Sequence, residues 1–272
     1  MAGVDVWAAH FGLTRTPFTK TIPANKLFDR AAHGEAVARI HYCINEAALG
    51  VVVGDTGAGK TVAVRAAVSA LDRTKFTLVY LSNPSGGCRG LYVAIATALG
   101  ATPRFHKAEA INQAAALLAA EEHERHRRVV FVIDEAHLLS PEQLEEVRLL
   151  SNADLDSASP FAAILLGQPT LATRLRQGIF AALDQRISVR YTIGGMDLAE
   201  SIGYLRHHLS HAGRTDPLIA DDAAARLHRY ANGLPRALNN AATAALMAAA
   251  ADGKSLVDDA CAKKAIAELT RT

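Results

Sequence analysis

A parallel α/β sheet followed by an all-helical part is the fold class that this sequence predicts, and three observations predict it. Short aliphatic runs at residues 50–53, 76–81, 129–133 and 161–166 lack polar alternation, as in strands buried on both faces. Helical spacing fills the intervals, at 60–70, 90–99, 111–124 and 141–151, and strands alternating with helices give a parallel sheet. After about Gly194 the strand signal stops: 196–212, 221–231, 235–251 and 257–269 all read as helices, with Asp221 as an N-cap and Gly213, Gly233 and Gly253 as stops. The expected division is an α/β domain over residues 1–193, leader included, and a helical domain over 194–272.

The leader, to about residue 30, reads as irregular, with Pro17 and Pro23 and few periodic positions. Residues 33–48 place Val37, Ile40, Cys43 or Ile44, and Ala47 on one helix face. The first strand runs into Gly54-Asp55-Thr56-Gly57-Ala58-Gly59-Lys60-Thr61, which fits the G-x-x-x-x-G-K-[ST] phosphate-loop pattern in its required strand-loop-helix setting. Glycines let backbone N–H groups cradle phosphate oxygens, and the following helix N-terminus adds a favourable dipole. Lys60 is expected to reach the β- and γ-phosphates and the Thr61 hydroxyl to ligate Mg²⁺. The cofactors implied are ATP and Mg²⁺.

A second motif agrees. Residues 129–133 end in Asp134-Glu135, which puts two carboxylates at the C-terminal tip of a buried strand, the sheet edge where ligands bind. Asp134 is expected in the Mg²⁺ shell. Glu135 is expected to orient or deprotonate the attacking water. Gln168, in the Gly167-Gln168-Pro169 turn after the next strand, reads equally as a γ-phosphate contact or as a turn residue.

Half of the 272 residues are apolar, 21% are charged and the formal net charge is +2, an ordinary globular composition that gives no global argument for nucleic acid. Cys43, Cys88 and Cys261 lie far apart, which argues against a disulfide framework and for a reducing compartment. No signal peptide is visible, and the alanine-rich run at 241–251 is too short to span a bilayer, so a cytoplasmic protein without membrane contact is expected.

Taken together these residues resemble the AAA+ ATPase superfamily over nearly the whole chain. The resemblance implies an AAA+ P-loop NTPase core with a C-terminal helical lid, Mg²⁺-dependent ATP hydrolysis and a homo-oligomer, ring or helical filament. It gives Gln168 the place of a γ-phosphate sensor. It makes Arg186, in Leu183-Asp184-Gln185-Arg186-Ile187, the finger that completes a neighbouring subunit's site, with Arg190 second, and it makes Arg236, in Gly233-Leu234-Pro235-Arg236, the sensor opening a lid helix. A positioned arginine is worth about 10³–10⁵ in rate, because hydrolysis spreads charge over the transferred phosphoryl oxygens.

More narrowly, Phe11-Gly12-Leu13, Pro17-Phe18, Leu27-Phe28, Asp134-Glu135-Ala136-His137 and Leu166-Gly167-Gln168-Pro169 resemble the branch holding ExeA-type secretion ATPases and TniB-, TnsC- and MuB-like regulators of DNA transposition. The resemblance places the leader, Phe18 in particular, beside the adenine; packing onto the core is expected as well. His137 is given no catalytic role. A start at Met1 and a close soon after the lid lead us to expect a whole protein, which favours the transposition regulator: ATP-driven assembly on duplex DNA, recruitment of a transposase and release on hydrolysis. An ExeA-like secretion ATPase is the alternative, and a small-molecule kinase is disfavoured by the finger and lid.

For DNA the sequence offers scattered cations only. The stretch from Ser82 to Arg89 reads as a polar loop, and Arg89, Arg104, His106 and Lys107 are the residues able to neutralise phosphates. No base-reading motif is present, so little sequence preference is expected. The groupings His207, His208, His211 and His123, His126 lack partners for a metal site and read as solvated helix faces.

Overall fold

The computed structural model describes residues 6–19, 22–152 and 159–271, which divide into two units. The first, α/β, spans Ala31–Asp55 and Lys60–Ile193. In chain order across the molecule, α1 is Val6–His10, α2 Ala31–Asn45, β1 Leu49–Gly54, α3 Lys60–Ser69, β2 Phe76–Leu81, α4 Gly87–Ala98, α5 Lys107–His123, β3 Arg128–Ile133, α6 Pro141–Leu150, β4 Phe161–Gly167, α7 Pro169–Leu175, α8 Ala181–Arg186 and β5 Ile187–Ile193. The five strands, all parallel, lie in the order β2-β3-β4-β1-β5.

Sheet position explains the sequence patterns. β1 and β4 are buried at every residue and β3 at all but its first, so they read as unbroken aliphatic runs. β5, at an edge, alternates Ile187, Val189, Tyr191 and Ile193 with Ser188, Arg190 and Thr192. It is a fifth strand that the sequence reading did not anticipate, and it makes Arg190, the second finger candidate, a mid-strand residue. The other edge strand, β2, buries only Val79 and leaves Leu78 and Tyr80 on a half-open face. One core runs under the sheet, built on Phe131, Phe161, Leu118 and Leu144 among others, with the Phe131 and Phe161 rings edge to face.

The second unit comprises the described residues up to Arg30, Thr56–Gly59 and the chain from Gly194 onward. Its main helices are α9 Leu198–His211, α10 Asp221–Ala231, α11 Pro235–Ala251 and α12 Asp259–Leu269. Ala241, Ala242 and Ala245 of α11 are fully buried, and small side chains there let the helices approach closely. The leader, expected with the α/β part, clusters with this bundle instead: Phe11, Leu13 and Phe18 lie in its core. It also holds a short helix, α1, where irregular chain was expected.

The segment between Ile193 and α9 is clasped within this unit. Buried Arg30 donates to the Gly194 and Gly195 carbonyls and to the Glu200 carboxylate. The Met196 N–H donates to the Gly233 carbonyl at 2.8 Å. Gly233 has φ +68°, and a Cβ there would meet the Met196 carbonyl at 2.0 Å, so glycine is required on both counts. Ala220, not Asp221, is the N-cap of α10.

Candidate functional site

Residues 54–61 form the strand-loop-helix that the motif requires, with Gly57 at φ +89° and Gly59 at φ +102°, a geometry costly for residues with a Cβ. Within the α/β unit the Lys60 ammonium, only 8% exposed, donates to the Gly54 and Asp55 carbonyls at 2.7 and 3.0 Å. The loop thus bends around its own cation. A Cβ at Gly59 would meet nothing within 4 Å, so the glycine there answers to its backbone conformation and not to crowding.

The strand tips come together through register. Val53 of β1 pairs with Gly167 of β4, and Leu165 of β4 with Ile133 of β3, so Gly54, Asp134 and Gln168 emerge at one sheet edge. The Thr61 hydroxyl donates to Asp134 Oδ2 at 2.9 Å, the Tyr80 hydroxyl donates to the same oxygen at 2.8 Å, and the Glu135 N–H donates to Oδ1 at 2.9 Å. Burial, then the hydrogen bond to Asp134, pushes the Tyr80 phenol well above its ordinary range. Thr61 and Asp134 offer a hydroxyl and a carboxylate side by side, an all-oxygen set that suits Mg²⁺.

Glu135 is exposed and sits at φ 50°, ψ 35°, a left-handed conformation that strains a glutamate by about 1–2 kcal/mol. The twist presents its carboxylate to the ring of His137, Nδ1 to Oε2 3.4 Å. The 137–139 segment is tied down by Arg174, which donates to the His137 and Leu139 carbonyls. Sequence reasoning gave His137 no role; it contacts the acid that the motif singled out. Gln168 is the N-cap of α7 but makes no capping bond with its side chain.

Two arginines lie away from these tips. Arg186 precedes Ile187, which pairs with Leu49 at the start of β1, whereas Ile193 pairs with Gly54 at its end. Arg186 is thus at the opposite edge of the sheet, roughly 20 Å along the strand direction from the loop. There it donates to the Ser151 hydroxyl at 3.3 Å, beside Glu46 and Ser188. Arg190 is engaged by Asp184, with its side chain at 2.9 Å.

In the helical unit, the Arg236 N–H at the start of α11 donates to the Gly57 carbonyl at 3.3 Å, and the Arg236 side chain is exposed. Phe18 is buried at φ 60°, its ring 5.6 Å from that of His208.

The candidate DNA cations are partly occupied. Arg89 belongs to α4, not to a loop; its guanidinium donates to the Arg104 and Phe105 carbonyls, both at 2.9 Å, and lies over the Phe105 ring. Lys107, the first residue of α5, pairs with Glu146, which also accepts from Tyr92. His208 is a correction: it is 5% exposed rather than solvated. No metal-binding cluster of histidine, cysteine and carboxylates exists among the described residues. No helix among them is long and apolar enough to cross a membrane.

A five-stranded parallel sheet with a phosphate loop after β1, an acidic tip on β3 and a C-terminal helical part defines the AAA+ P-loop NTPase fold. Residues 44–175 match a family described as an AAA domain. Over 257 residues the chain is 32% identical to general secretion pathway protein A of Aeromonas hydrophila, a match that covers 91% of this chain and 46% of that protein, so the chain spans under half of that relative's length. Among solved structures, Cdc6p from Pyrobaculum aerophilum superposes with a TM-score of 0.70 at 16% identity, covering 91% of this chain and 69% of that one. Aeropyrum pernix ORC1, solved in complex with DNA, gives 0.67 at 14% identity, covering 92% and 68%.

Proposed function

We propose that this chain is a Mg²⁺-dependent ATPase of the AAA+ kind, working as an oligomeric switch. The observation that carries this is the Thr61–Asp134 pair beside a loop that already encloses a buried Lys60. Thr61 and Asp134 would hold Mg²⁺, whose charge offsets that developing on the phosphates. Loop N–H groups and Lys60 bind the phosphate oxygens. Glu135 orients a water and takes its proton as the water oxygen bonds to the γ-phosphorus and the bond to the β-phosphate oxygen breaks. Gln168 is the candidate contact to the γ-phosphate, Phe18 the candidate neighbour of the base, and Arg236 the candidate sensor in a helical lid over residues 194–272. Arg186 lies at the far sheet edge of its own chain, so a finger role for it requires a neighbouring subunit.

The test is phosphate release in Mg²⁺ without any acceptor. Wild type turns over, Lys60→Ala neither binds nor hydrolyses, and Arg186→Ala, impaired alone, regains turnover when mixed with Lys60→Ala, because each subunit supplies the half-site that the other lacks. No turnover until a small-molecule acceptor is supplied means a kinase.

For the use of hydrolysis we propose assembly on duplex DNA as a transposition regulator that recruits a transposase. The leader and strand-tip strings that resemble such regulators support it, as does the DNA bound to ORC1. Arg104 and His106 are its best remaining phosphate contacts, since Arg89 and Lys107 are engaged locally. The 32% identity to general secretion pathway protein A favours a second reading, a secretion-assembly switch, equally strongly. Electron microscopy with an ATP analogue separates them: rings or filaments that need duplex DNA, with affinity falling steeply between low and high salt, favour the first. Assembly indifferent to DNA favours the second.

A further inference from the structure

The outer face of β2 holds a group that no motif names. In the parallel pairing of β2 with β3, Tyr80 stands opposite Val132, so Asp134, two residues on, is its diagonal neighbour on the same face of the sheet. A diagonal neighbour lies about 7–8 Å away, which a tyrosine spans and most side chains do not. The ring lies on the half-open face that Leu78 shares, 44% exposed, and its hydroxyl reaches Asp134 Oδ2 at 2.8 Å. The carboxylate therefore has three donors: Thr61 and Tyr80 on one oxygen and the Glu135 N–H on the other.

These three donors are not equivalent. The Glu135 N–H is fixed by the backbone. The Thr61 hydroxyl is itself a candidate metal ligand, and a hydroxyl that turns its lone pair to Mg²⁺ also turns its proton. Tyr80 alone approaches from the side of the sheet edge, on a side chain with no other assigned task. We propose that Tyr80 is a positioning residue for Mg²⁺-nucleotide: its hydroxyl pins the Asp134 carboxylate in the orientation that receives the metal's shell, and keeps it there once Thr61 is engaged. This inference rests on the nucleotide reading of the same site. Partners one bond removed from a metal typically govern its affinity by about 10–100-fold.

The test is Tyr80→Phe, which keeps the ring and removes one oxygen, measured on the full chain with a fluorescent ATP analogue. Affinity is read with EDTA and across a Mg²⁺ titration, alongside thermal stability without nucleotide. The expected result is a Mg²⁺ half-saturation raised roughly 10-fold, with metal-free affinity changed less than about two-fold and the melting temperature close to wild type. An unchanged Mg²⁺ half-saturation overturns the proposal, as does an equal loss of affinity with and without metal, which marks a purely structural tyrosine. If Tyr80→Phe does not fold, Tyr80→His keeps a ring and a donor on a shorter side chain; a metal-selective loss supports the proposal and a metal-blind one overturns it. Asp134→Asn on the same plate keeps the two readings apart. If wild type shows metal-dependent binding that Asp134→Asn abolishes, the nucleotide site stands whatever Tyr80→Phe does.

Discussion

The two units solve different problems with different residues. The α/β unit buries whole strands of valine, leucine and isoleucine and gathers Lys60, Thr61, Asp134 and Glu135 at one edge of the sheet, while Glu121, Gln143 and Glu146 are buried elsewhere in the unit. The helical unit packs alanines and takes polar groups inward: Ser201 is fully buried and accepts or donates at His228 Nδ1, and His208 is buried between the Tyr204 and Phe18 rings. The first gathers its candidate chemistry at the strand tips; the second places a titratable ring within its packing.

Glu135→Gln should have the largest effect. Hydrolysis should fall about 10²–10⁴-fold in a single-turnover assay while nucleotide binding and melting temperature hold, because the residue is exposed and off the core. A matching loss of stability would mean that the edge and the core are not separate.

Next in size, Phe131→Ala should cost about 3–5 kcal/mol by urea unfolding, because a fully buried ring on a central strand leaves a cavity that flanking strands cannot fill. Ala242→Leu, the opposite change at a fully buried helix contact, should cost about 1–3 kcal/mol through overpacking.

The helical unit should also be the acid-sensitive one. Burial, then the neighbouring His207 and His211, lowers the His208 pKa from 6.5 to about 4. Between those values the unfolded chain binds a proton that the folded one refuses. The contribution is therefore complete above pH 6.5 and is lost as pH falls toward 4, up to about 3 kcal/mol. His208→Gln should flatten that slope in pH-dependent melts; an unchanged slope places the acid sensitivity elsewhere. At the small end, Arg206→Ala should move stability by less than about 1 kcal/mol, since its partner Asp221 and it are both solvent-exposed.

Which of these features the sequence makes legible follows from how local each is. The phosphate loop, the acidic strand tip and the three buried strands are written in consecutive residues. β5 was legible in principle, through its alternation from Ile187 to Ile193, but an edge strand with one covered face lacks the unbroken apolar run that marked the others. Tyr80 and His137 were not legible, because their partners are set by strand register and by the left-handed turn at Glu135. His208 reads as solvated because its neighbours His207 and His211 are polar; it is buried against the Tyr204 ring and that of Phe18, the latter nearly two hundred residues away.

The Arg236 N–H ends on the Gly57 carbonyl. Leu234, the N-cap of α11, supplies no side-chain cap, so a first-turn donor that would otherwise face solvent ends on the phosphate loop. Fraying of that first turn breaks the bond to the loop tip. The Arg236 amide is a built-in reporter: its hydrogen-exchange rate, or its ¹⁵N chemical shift, registers what happens at Gly57 without any label on the nucleotide.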